Sequence, residues 1–256
     1  MKTVVILSTA FVTTLPDQPE RERRISQYVS GFGQVAEAGR LFPGFDFYSV
    51  DNTVEHPDRL DSRLTRAIEG IPALKGKYYF WDNEVGRINK GSGLVVQWAR
   101  VLPDIEGRYD FILHYEPRQR LIDHSFFERM AGKPDAYICA YRDRLKFYGI
   151  FPATYPRFWT GMFSMRTQDL AAYVRASDRG VLTTIEEYRK WPLFRYARWH
   201  LLPGWFAEMS ECIESDLPRY VRNHGIHFTG VAALGVHWHE EATGKWIDLV
   251  DRQFDH

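Results

Sequence analysis

The sequence is poor in cysteine and has no excess of charge of either sign. It contains two cysteines, Cys139 and Cys212, which are far apart and have no partners at the spacing of a metal site. One disulfide between them is an option, but we expect two reduced thiols in a cytoplasmic protein. Lysine and arginine number 33, as do aspartate and glutamate. No net field attracts an anionic polymer, and nucleic acid is therefore not an expected partner.

Long apolar runs are also missing. No stretch approaches eighteen consecutive apolar residues, so the sequence predicts no membrane-spanning helix. The apolar run at residues 4–12 is followed by a charged segment with helical periodicity, which is typical of a first buried strand rather than a signal peptide. A basic, aromatic stretch at residues 189–202 leaves two interpretations open, a helix packed on the rest of the domain or a peripheral contact with a membrane.

The first half of the chain alternates between strand and helix patterns. The periodicity predicts strands at residues 3–11, 45–51, 77–82 and 109–116, and helices at residues 21–38, 58–69 and 91–102. Alternation at this spacing is typical of βαβ units around a mostly parallel sheet that is flanked by helices.

The second half is less regular and more helical near its end. Further strands are predicted at residues 135–141, 158–166 and 231–238, and helices at residues 123–130, 168–176, 184–189 and 205–224. Residues 148–159 are aromatic and contain Pro152 and Pro156, so we expect an ordered loop there. No linker or internal repeat divides the chain, which favours one α/β domain over residues 1–256 with a helical C-terminal part.

Polar residues stand at the ends of the predicted strands. Asp51 and Asn52 end the second strand, Asp82 ends the third and Glu116 ends the fourth. The carboxyl ends of parallel strands meet at one edge of a sheet, where open α/β sheets bind nucleotides. For Asp51 and Asp82 the alternative is a turn that is closed by an Asx hydrogen bond.

A helix is predicted to begin next to this edge, at Asn89, Lys90 and Gly91. Backbone N–H groups at a helix N-terminus, together with a lysine ammonium group, are suited to binding phosphate. The alternative is an ordinary helix cap without a ligand.

The order of these motifs resembles that of nucleotide-sugar glycosyltransferases with the GT-A fold, especially bacterial enzymes that build surface polysaccharides. The likeness spans residues 3–225 and is carried by Val50-Asp51-Asn52, Asn89-Lys90-Gly91, the acid-tipped strand after Tyr109-Asp110, and Gly161-Met162-Phe163-Ser164-Met165-Arg166 before Asp169-Leu170. It implies a Rossmann-type sheet, with a nucleotide-binding half at residues 1–120 and an acceptor-side half with a C-terminal extension at residues 121–256.

The resemblance also implies an activity and a set of binding residues. The activity is transfer of a sugar from a nucleotide-sugar donor to a polysaccharide or lipid-linked acceptor, in the cytoplasm or at the inner face of the membrane. The donor-binding residues that it implies are Ser8, Thr9, Ala10, Asp51, Asn52, Asn89, Lys90, Gly91, Glu116, Arg118 and Arg120. Because flat rings stack on sugar C–H faces, the sugar side is expected to include Trp159, Gly161 and Trp205.

The metal-binding Asp-x-Asp motif of most members is missing from this chain. In the family two carboxylates hold a divalent Mn or Mg ion, which neutralises the departing nucleoside diphosphate. The strand here ends with His114 and Glu116, and Arg118 and Arg120 follow. Either Glu116 and His114 bind a metal weakly, or the two arginines supply the positive charge directly, which we favour. The arginines can also be surface residues of a turn.

The resemblance places a catalytic base near the start of a helix in the last third of the chain. Glu208 is the candidate that would remove the proton of the acceptor hydroxyl, and Glu211 is the alternate. A solvated helix face that carries Glu208, Glu211 and Glu214 is the other explanation of this spacing.

Two further functions stay open at this point. Since the second aspartate is missing, the chain can be a catalytically silent GT-A-like protein that binds a nucleotide sugar or a glycan. The other alternative is a metal-dependent hydrolase that uses His237 and His239, whose side chains point the same way if they lie on a strand. The same two histidines, with Glu116, are also candidate ligands for the metal of a glycosyltransferase.

Overall fold

The computed structural model of this chain describes residues 1–11, 18–83, 86, 90–147, 151–177, 213–240 and 245–250. Several predictions lie outside the described residues, namely the helix at 184–189, the first part of the helix at 205–224, the stretch at 189–202, and the site residues Asn89, Trp205, Glu208 and Glu211.

Twelve strands occur among the described residues. In chain order they are β1 (Thr3–Thr9), β2 (Phe45–Asp51), β3 (Leu74–Tyr79), β4 (Phe111–Tyr115), β5 (Arg120–Leu121), β6 (Tyr137–Ile138), β7 (Ala140–Phe147), β8 (Phe151–Phe158), β9 (Met162–Arg166), β10 (Thr229–Gly230), β11 (Ala233–Glu240) and β12 (Lys245–Val250). The predicted bounds of β2 are those of the structure. β3 begins and ends three residues earlier than predicted.

The centre of the fold is a five-stranded sheet with the order β3-β2-β1-β4-β9. Strands β1 to β4 run parallel, and β9 runs antiparallel to β4. This confirms the prediction of a mixed, mostly parallel sheet. A three-stranded antiparallel sheet, which we call the small sheet, has the order β12-β11-β5.

Helices flank both faces of the central sheet. They are α1 (Gln18–Leu41), α2 (Ser62–Glu69), α3 (Lys90–Ile105), α4 (Ser125–Gly132), α5 (167–177) and α6 (Ile213–Asn223), with a short 3-10 helix at Pro57–Arg59. None of the described helices is long and apolar enough to span a bilayer.

Alternate residues of β1 enter two different cores, as expected for a strand whose two faces are both covered. Val5 and Leu7 pack with α1, α2 and α4, whereas Val4 and Ile6 pack with α3, α5 and α6. Full burial of an aliphatic side chain of this size contributes about 1.5–3 kcal/mol. The two cores therefore hold the central sheet in place between its helices.

The prediction of a loop at residues 148–159 is wrong over residues 151–158, which form β8, while residues 148–150 lie outside the described residues. Strand β8 pairs antiparallel with β7, and Pro152 and Pro156 face Lys146 and Arg142. The prolines fit because they are four residues apart and so share one side of a strand that has a single partner among the described strands. On that side the N–H group points away from the partner, and its absence removes no ladder hydrogen bond.

Helix α1 also supports the small sheet. The side-chain amide of Gln34 donates to the Leu121 carbonyl oxygen at 2.7 Å and accepts from the Leu121 N–H at 3.0 Å. This two-point contact satisfies the backbone of β5 as a neighbouring strand would.

Candidate functional site

The strand order creates a topological switch point between β1 and β4. From β1 the chain moves outward through β2 and β3, and it then returns to the opposite side of β1 as β4. Ligands of open α/β sheets bind beyond the carboxyl ends of the strands at such a point. Leu7 pairs with Ser49 on one side and with Tyr115 on the other. Asp51 and Glu116 therefore lie at the same edge, two strands apart.

Asp51 is fully buried at this edge, and protein donors occupy both of its carboxylate oxygens. One oxygen accepts from the Thr9 hydroxyl at 2.9 Å and the Phe11 N–H at 2.8 Å, and the other accepts from the Thr53 N–H at 2.7 Å and the Thr53 hydroxyl at 2.5 Å. Burial raises the pKa of Asp51 to about 6, although the hydrogen bonds to Thr53, Phe11 and Thr9 oppose this. The Asp51 carboxylate therefore joins the ends of β1 and β2. This is a structural role, which is the alternative to binding the donor.

Asn52 also bonds to the protein itself. Its side-chain N–H donates to the Asp82 carbonyl oxygen at 2.8 Å, and its side-chain oxygen accepts from Gln97 Nε2 at 2.8 Å. The same Gln97 nitrogen donates to the Thr9 carbonyl oxygen at 2.7 Å. Gln97, on α3, thus braces two strand ends. No signal in the sequence marks Gln97, because its two partners, Thr9 and Asn52, meet it only in the folded sheet.

The residue after β1 contacts helix α1. Ala10 is half-buried, and its backbone N–H donates to the Tyr28 hydroxyl at 2.9 Å. Ala10 is thus joined to α1 by a hydrogen bond, while the Thr9 side chain is turned toward Asp51. Tyr28 was not among the residues expected at the site.

The end of β4 presents one carboxylate rather than two ligands. His114 is fully buried, accepts from Trp98 Nε1 at 3.2 Å and lies 3.4 Å from the Ser8 hydroxyl. Burial lowers its pKa to about 3, so the imidazole is neutral at physiological pH. Glu116 is half-buried, and its N–H donates to the Gly161 carbonyl oxygen at 2.9 Å. His114 therefore belongs to the core and leaves Glu116 as the acidic group of this tip.

The two arginines that follow β4 diverge. Arg120 is exposed and lies in β5, where it pairs with His237 of the small sheet. Arg118 is half-buried and follows Pro117, which packs directly on Gly31 of α1. A Cβ atom on Gly31 would lie 1.6 Å from the Pro117 carbonyl oxygen. Arg118 is therefore the residue that directly follows the contact of Pro117 with α1, whereas Arg120 is part of the small sheet.

Helix α1 brings a second arginine to the same place. Arg24, Tyr28 and Gly31 are spaced i, i+4 and i+7, so they share one helix face. Arg24 is only 8% exposed. Burial raises the pKa of Tyr28, while the positive charges of Arg118 and Arg24 act to lower it. The two guanidinium groups thus lie within electrostatic range of one phenol. In the sequence, the helical spacing of Arg24 from Tyr28 and Gly31 was the only indication that it shares their helix face.

The helix start and the predicted sugar side contain mainly packing contacts. Gly91 lies against the start of α6, since a Cβ there would be 2.9 Å from the Ile213 backbone nitrogen. Lys90 is the first residue of α3. The Trp159 indole N–H donates to the Val250 carbonyl oxygen at 3.2 Å. Gly161 makes room for Gln119, whose Nε2 would lie 1.6 Å from an added Cβ.

The candidate metal ligands are dispersed. His237 forms an ion pair with Asp248 on the neighbouring strand. His239 Nε2 lies 3.2 Å from Arg23 Nη1 on α1. Within the part of the chain that the structure describes, which includes Glu116, no group of three or more His, Cys, Asp or Glu side chains could hold a metal ion. Glu116, His237 and His239 therefore do not fit the divalent Mn or Mg ion that most GT-A glycosyltransferases hold. The histidine pair gives no support to a metal-dependent hydrolase.

A cavity of about 330 Å³ lies against the outer strand β3. It is lined by Pro57, Leu60, Thr65, Ile68, Lys77 and Tyr79. None of the predicted donor residues lines it, and β3 is separated from the switch point by two strands. The switch point is therefore the better candidate for the functional site.

No protein-family model and no curated protein sequence matches this chain. Function is accordingly inferred from the residues that meet at the switch point.

Proposed function

We propose that this protein is a glycosyltransferase with a GT-A-like fold that takes its sugar from a nucleotide-sugar donor in the cytoplasm. The acceptor would be a polysaccharide or a lipid-linked glycan. The observation that carries this proposal is the switch point between β1 and β4, where Ala10, Glu116 and Arg118 follow the carboxyl ends of the strands. Such a crevice is the usual nucleotide site of an open parallel sheet.

The described residues suggest how the donor would lie. Arg118 is the predicted donor residue best placed to meet phosphate, since it is half-buried at the edge and a guanidinium binds phosphate through paired N–H groups. Asp51 and Asn52 would shape the floor of the crevice rather than contact the donor, because their side chains bond to the protein. Glu208, with Glu211 as the alternate, stays the proposed base for the acceptor hydroxyl.

A second candidate function is nucleotide-sugar binding without turnover. It is favoured by the end of β4, where His114 is directed into the core and Glu116 is the one acidic group left. A site with one carboxylate lacks the paired ligands that most members of the family use to hold the catalytic metal.

Binding can be tested with a panel of nucleotides and nucleotide sugars. A ligand at one hundred times its dissociation constant is expected to stabilise the folded chain by about 2.7 kcal/mol in a thermal unfolding assay. Hydrogen exchange with the best ligand should show protection at residues 8–11 and 115–119. The strand β11, in the small sheet, serves as the internal control and should be unchanged. Absence of stabilisation by every nucleotide, or protection confined to β11, would contradict the proposal.

Turnover separates the two candidates. Incubation of the donor with lipid-linked and polysaccharide acceptors, followed by mass spectrometry, should show a released nucleotide and a glycosylated product. Glu208→Gln should stop transfer while leaving donor binding unchanged, and Glu211→Gln is the comparison for the alternate base. Donor binding without release of nucleotide over a broad acceptor panel would favour the silent binding protein.

A further inference from the structure

We propose that Arg24 and Arg118, together with the Tyr28 hydroxyl, form a binding site for a diphosphate group that requires no divalent cation. The diphosphate is the part of a nucleotide-sugar donor that departs with the nucleoside, so the choice of ligand rests on the proposed function. The charge of the leaving group would be compensated by two guanidinium groups from different elements of the fold.

The first support is the arrangement of helix α1 against the end of β1. Arg24, Tyr28 and Gly31 follow one another along a single face over about 10 Å of helix length. That face is turned toward the switch point, because the Tyr28 hydroxyl accepts the Ala10 N–H at 2.9 Å. Ala10 directly follows the last residue of β1.

The second support is the close approach of the loop after β4. Pro117 contacts α1 at Gly31, where only a glycine leaves room for its carbonyl group. Arg118 is the next residue, and its positive charge, like that of Arg24, acts to lower the pKa of Tyr28. Arg120 lies in β5, where it pairs with His237 of the small sheet. The pair of guanidinium groups is therefore Arg24 and Arg118, rather than the sequence neighbours Arg118 and Arg120.

The third support is the set of hydrogen-bond donors and acceptors around Tyr28. Tyr28 is 3% exposed, and its hydroxyl accepts from the Ala10 N–H, while no hydrogen bond to a described residue uses the hydroxyl hydrogen. Its raised pKa keeps that hydrogen in place at neutral pH. Asp51, the buried carboxylate nearby, takes its four hydrogen bonds from Thr9, Phe11 and Thr53 and none from an arginine.

Guanidinium chemistry suits a diphosphate. Each arginine carries five N–H donors in a planar fork that matches the geometry of phosphate oxygens. Two forks and a phenol can bind the oxygens of two linked phosphates at once. No described group of acidic or histidine side chains offers a metal the same position.

The test uses the full chain and inorganic pyrophosphate as the probe, measured by isothermal titration calorimetry in EDTA and again with Mg²⁺ or Mn²⁺. We expect binding in EDTA, with an affinity that changes by less than about twofold when the divalent ion is added. Arg24→Gln and Arg118→Gln should each weaken pyrophosphate binding by about tenfold or more, as expected for loss of a charge-assisted contact.

Matched variants make the result specific. Arg120→Gln removes a charge two residues from Arg118 but outside the crevice, and it should bind pyrophosphate as the wild type does. Tyr28→Phe should weaken binding by about tenfold while the chain stays folded. If Arg24→Gln does not fold, Arg24→Lys keeps the charge but lacks the fork, and it should still lose affinity.

Three results would overturn the inference: no binding of pyrophosphate, binding only with a divalent ion, or equal losses in Arg118→Gln and Arg120→Gln. Failure of this inference differs from failure of the proposed function. Nucleotide sugars that bind only with a metal would leave the glycosyltransferase proposal standing and remove the arginine site. Metal-free binding of pyrophosphate through Arg24 and Arg118, without binding of any nucleotide, would do the reverse.

Discussion

Replacing Gly31 with alanine is expected to destabilise this protein, even though alanine is the better helix former. An added Cβ would lie 1.6 Å from the Pro117 carbonyl oxygen and 2.7 Å from its carbonyl carbon. Both are backbone atoms, so no side-chain rotation can relieve the overlap. The loop after β4 or the helix itself would have to move by roughly 1.5 Å to restore normal contact distances.

The magnitude follows from two opposing contributions. Alanine gains about 0.5–1 kcal/mol over glycine inside a helix. Overpacking of a buried contact costs about 1–3 kcal/mol, and a clash with backbone belongs at the upper end of that range. We therefore expect a net loss of about 2 kcal/mol in the free energy of unfolding, or a drop of about 4–8 °C in melting temperature for a chain of this size.

Gly33→Ala is the matched control on the same helix. Gly33 is exposed, and an added Cβ would have no neighbour within 4 Å. This variant should gain about 0.5–1 kcal/mol from helix propensity alone. Urea unfolding followed by circular dichroism gives both free energies under one condition.

The contrast between the two variants tests the site as well as the contact. Gly31→Ala should also weaken pyrophosphate binding, since the displaced loop carries Arg118, whereas Gly33→Ala should not. Equal stability changes in the two variants would refute the packing of Pro117 on α1. A destabilised Gly31→Ala that binds pyrophosphate like the wild type would refute the link between that packing and the site.

Three other perturbations test the buried polar groups. The folded-state pKa of His114, about 3, lies below its ordinary 6.5, so its stabilising contribution is present above pH 6.5 and lost on acidification. Urea titrations should show that the free energy of unfolding falls by about 2 kcal/mol from pH 7 to pH 5, a loss that His114→Gln lacks. Asp51 acts oppositely: its folded-state pKa, about 6, exceeds the ordinary 3.8, so stability present below pH 3.8 is lost as the pH rises through 6. This loss is about 1 kcal/mol between pH 5 and pH 7, and Asp51→Asn should not show it. For either group, a variant whose pH profile matches the wild type would contradict the reasoning. Gln97→Leu should cost about 2 kcal/mol, because the Thr9 and Asn52 oxygens lose their donor, and an unchanged urea midpoint would contradict this.

Local periodicity predicted the central sheet well. β2 reads as an apolar run that ends in an acid, and its bounds match because both faces of the strand are buried. Helix α1 was expected from Ile25, Phe32 and Val35 at helical spacing, and all three are buried in one core. These signals are local, so one stretch of sequence contains them in full.

β8 was missed because a rule about proline was applied without knowledge of strand neighbours. Proline excludes a central strand, but it is compatible with a strand that pairs on one side only. Whether a strand has one neighbour or two is a property of the assembled sheet, which a single segment does not contain.

The sequence predicted which strand ends lie together, but not the contacts that their residues make. Asp51 and Glu116 lie at one edge of the sheet, as expected for parallel strands that end together. The sequence did not show that protein donors fill the carboxylate of Asp51, or that Tyr28 of α1 contacts the residue after β1. Those facts depend on contacts between residues many positions apart, such as Ala10 with Tyr28.

Helix α1 contacts both the loop after β4 and the small sheet. Pro117 packs on Gly31, and the Gln34 side-chain amide forms hydrogen bonds with the backbone of Leu121. Arg23 Nη1 lies 3.2 Å from His239 Nε2 on β11. Moving the loop after β4 away from the helix would also displace the small sheet, because only three residues separate Pro117 from Leu121. Any motion of this region must therefore either move α1, the loop after β4 and the small sheet together, or break at least one of these three contacts.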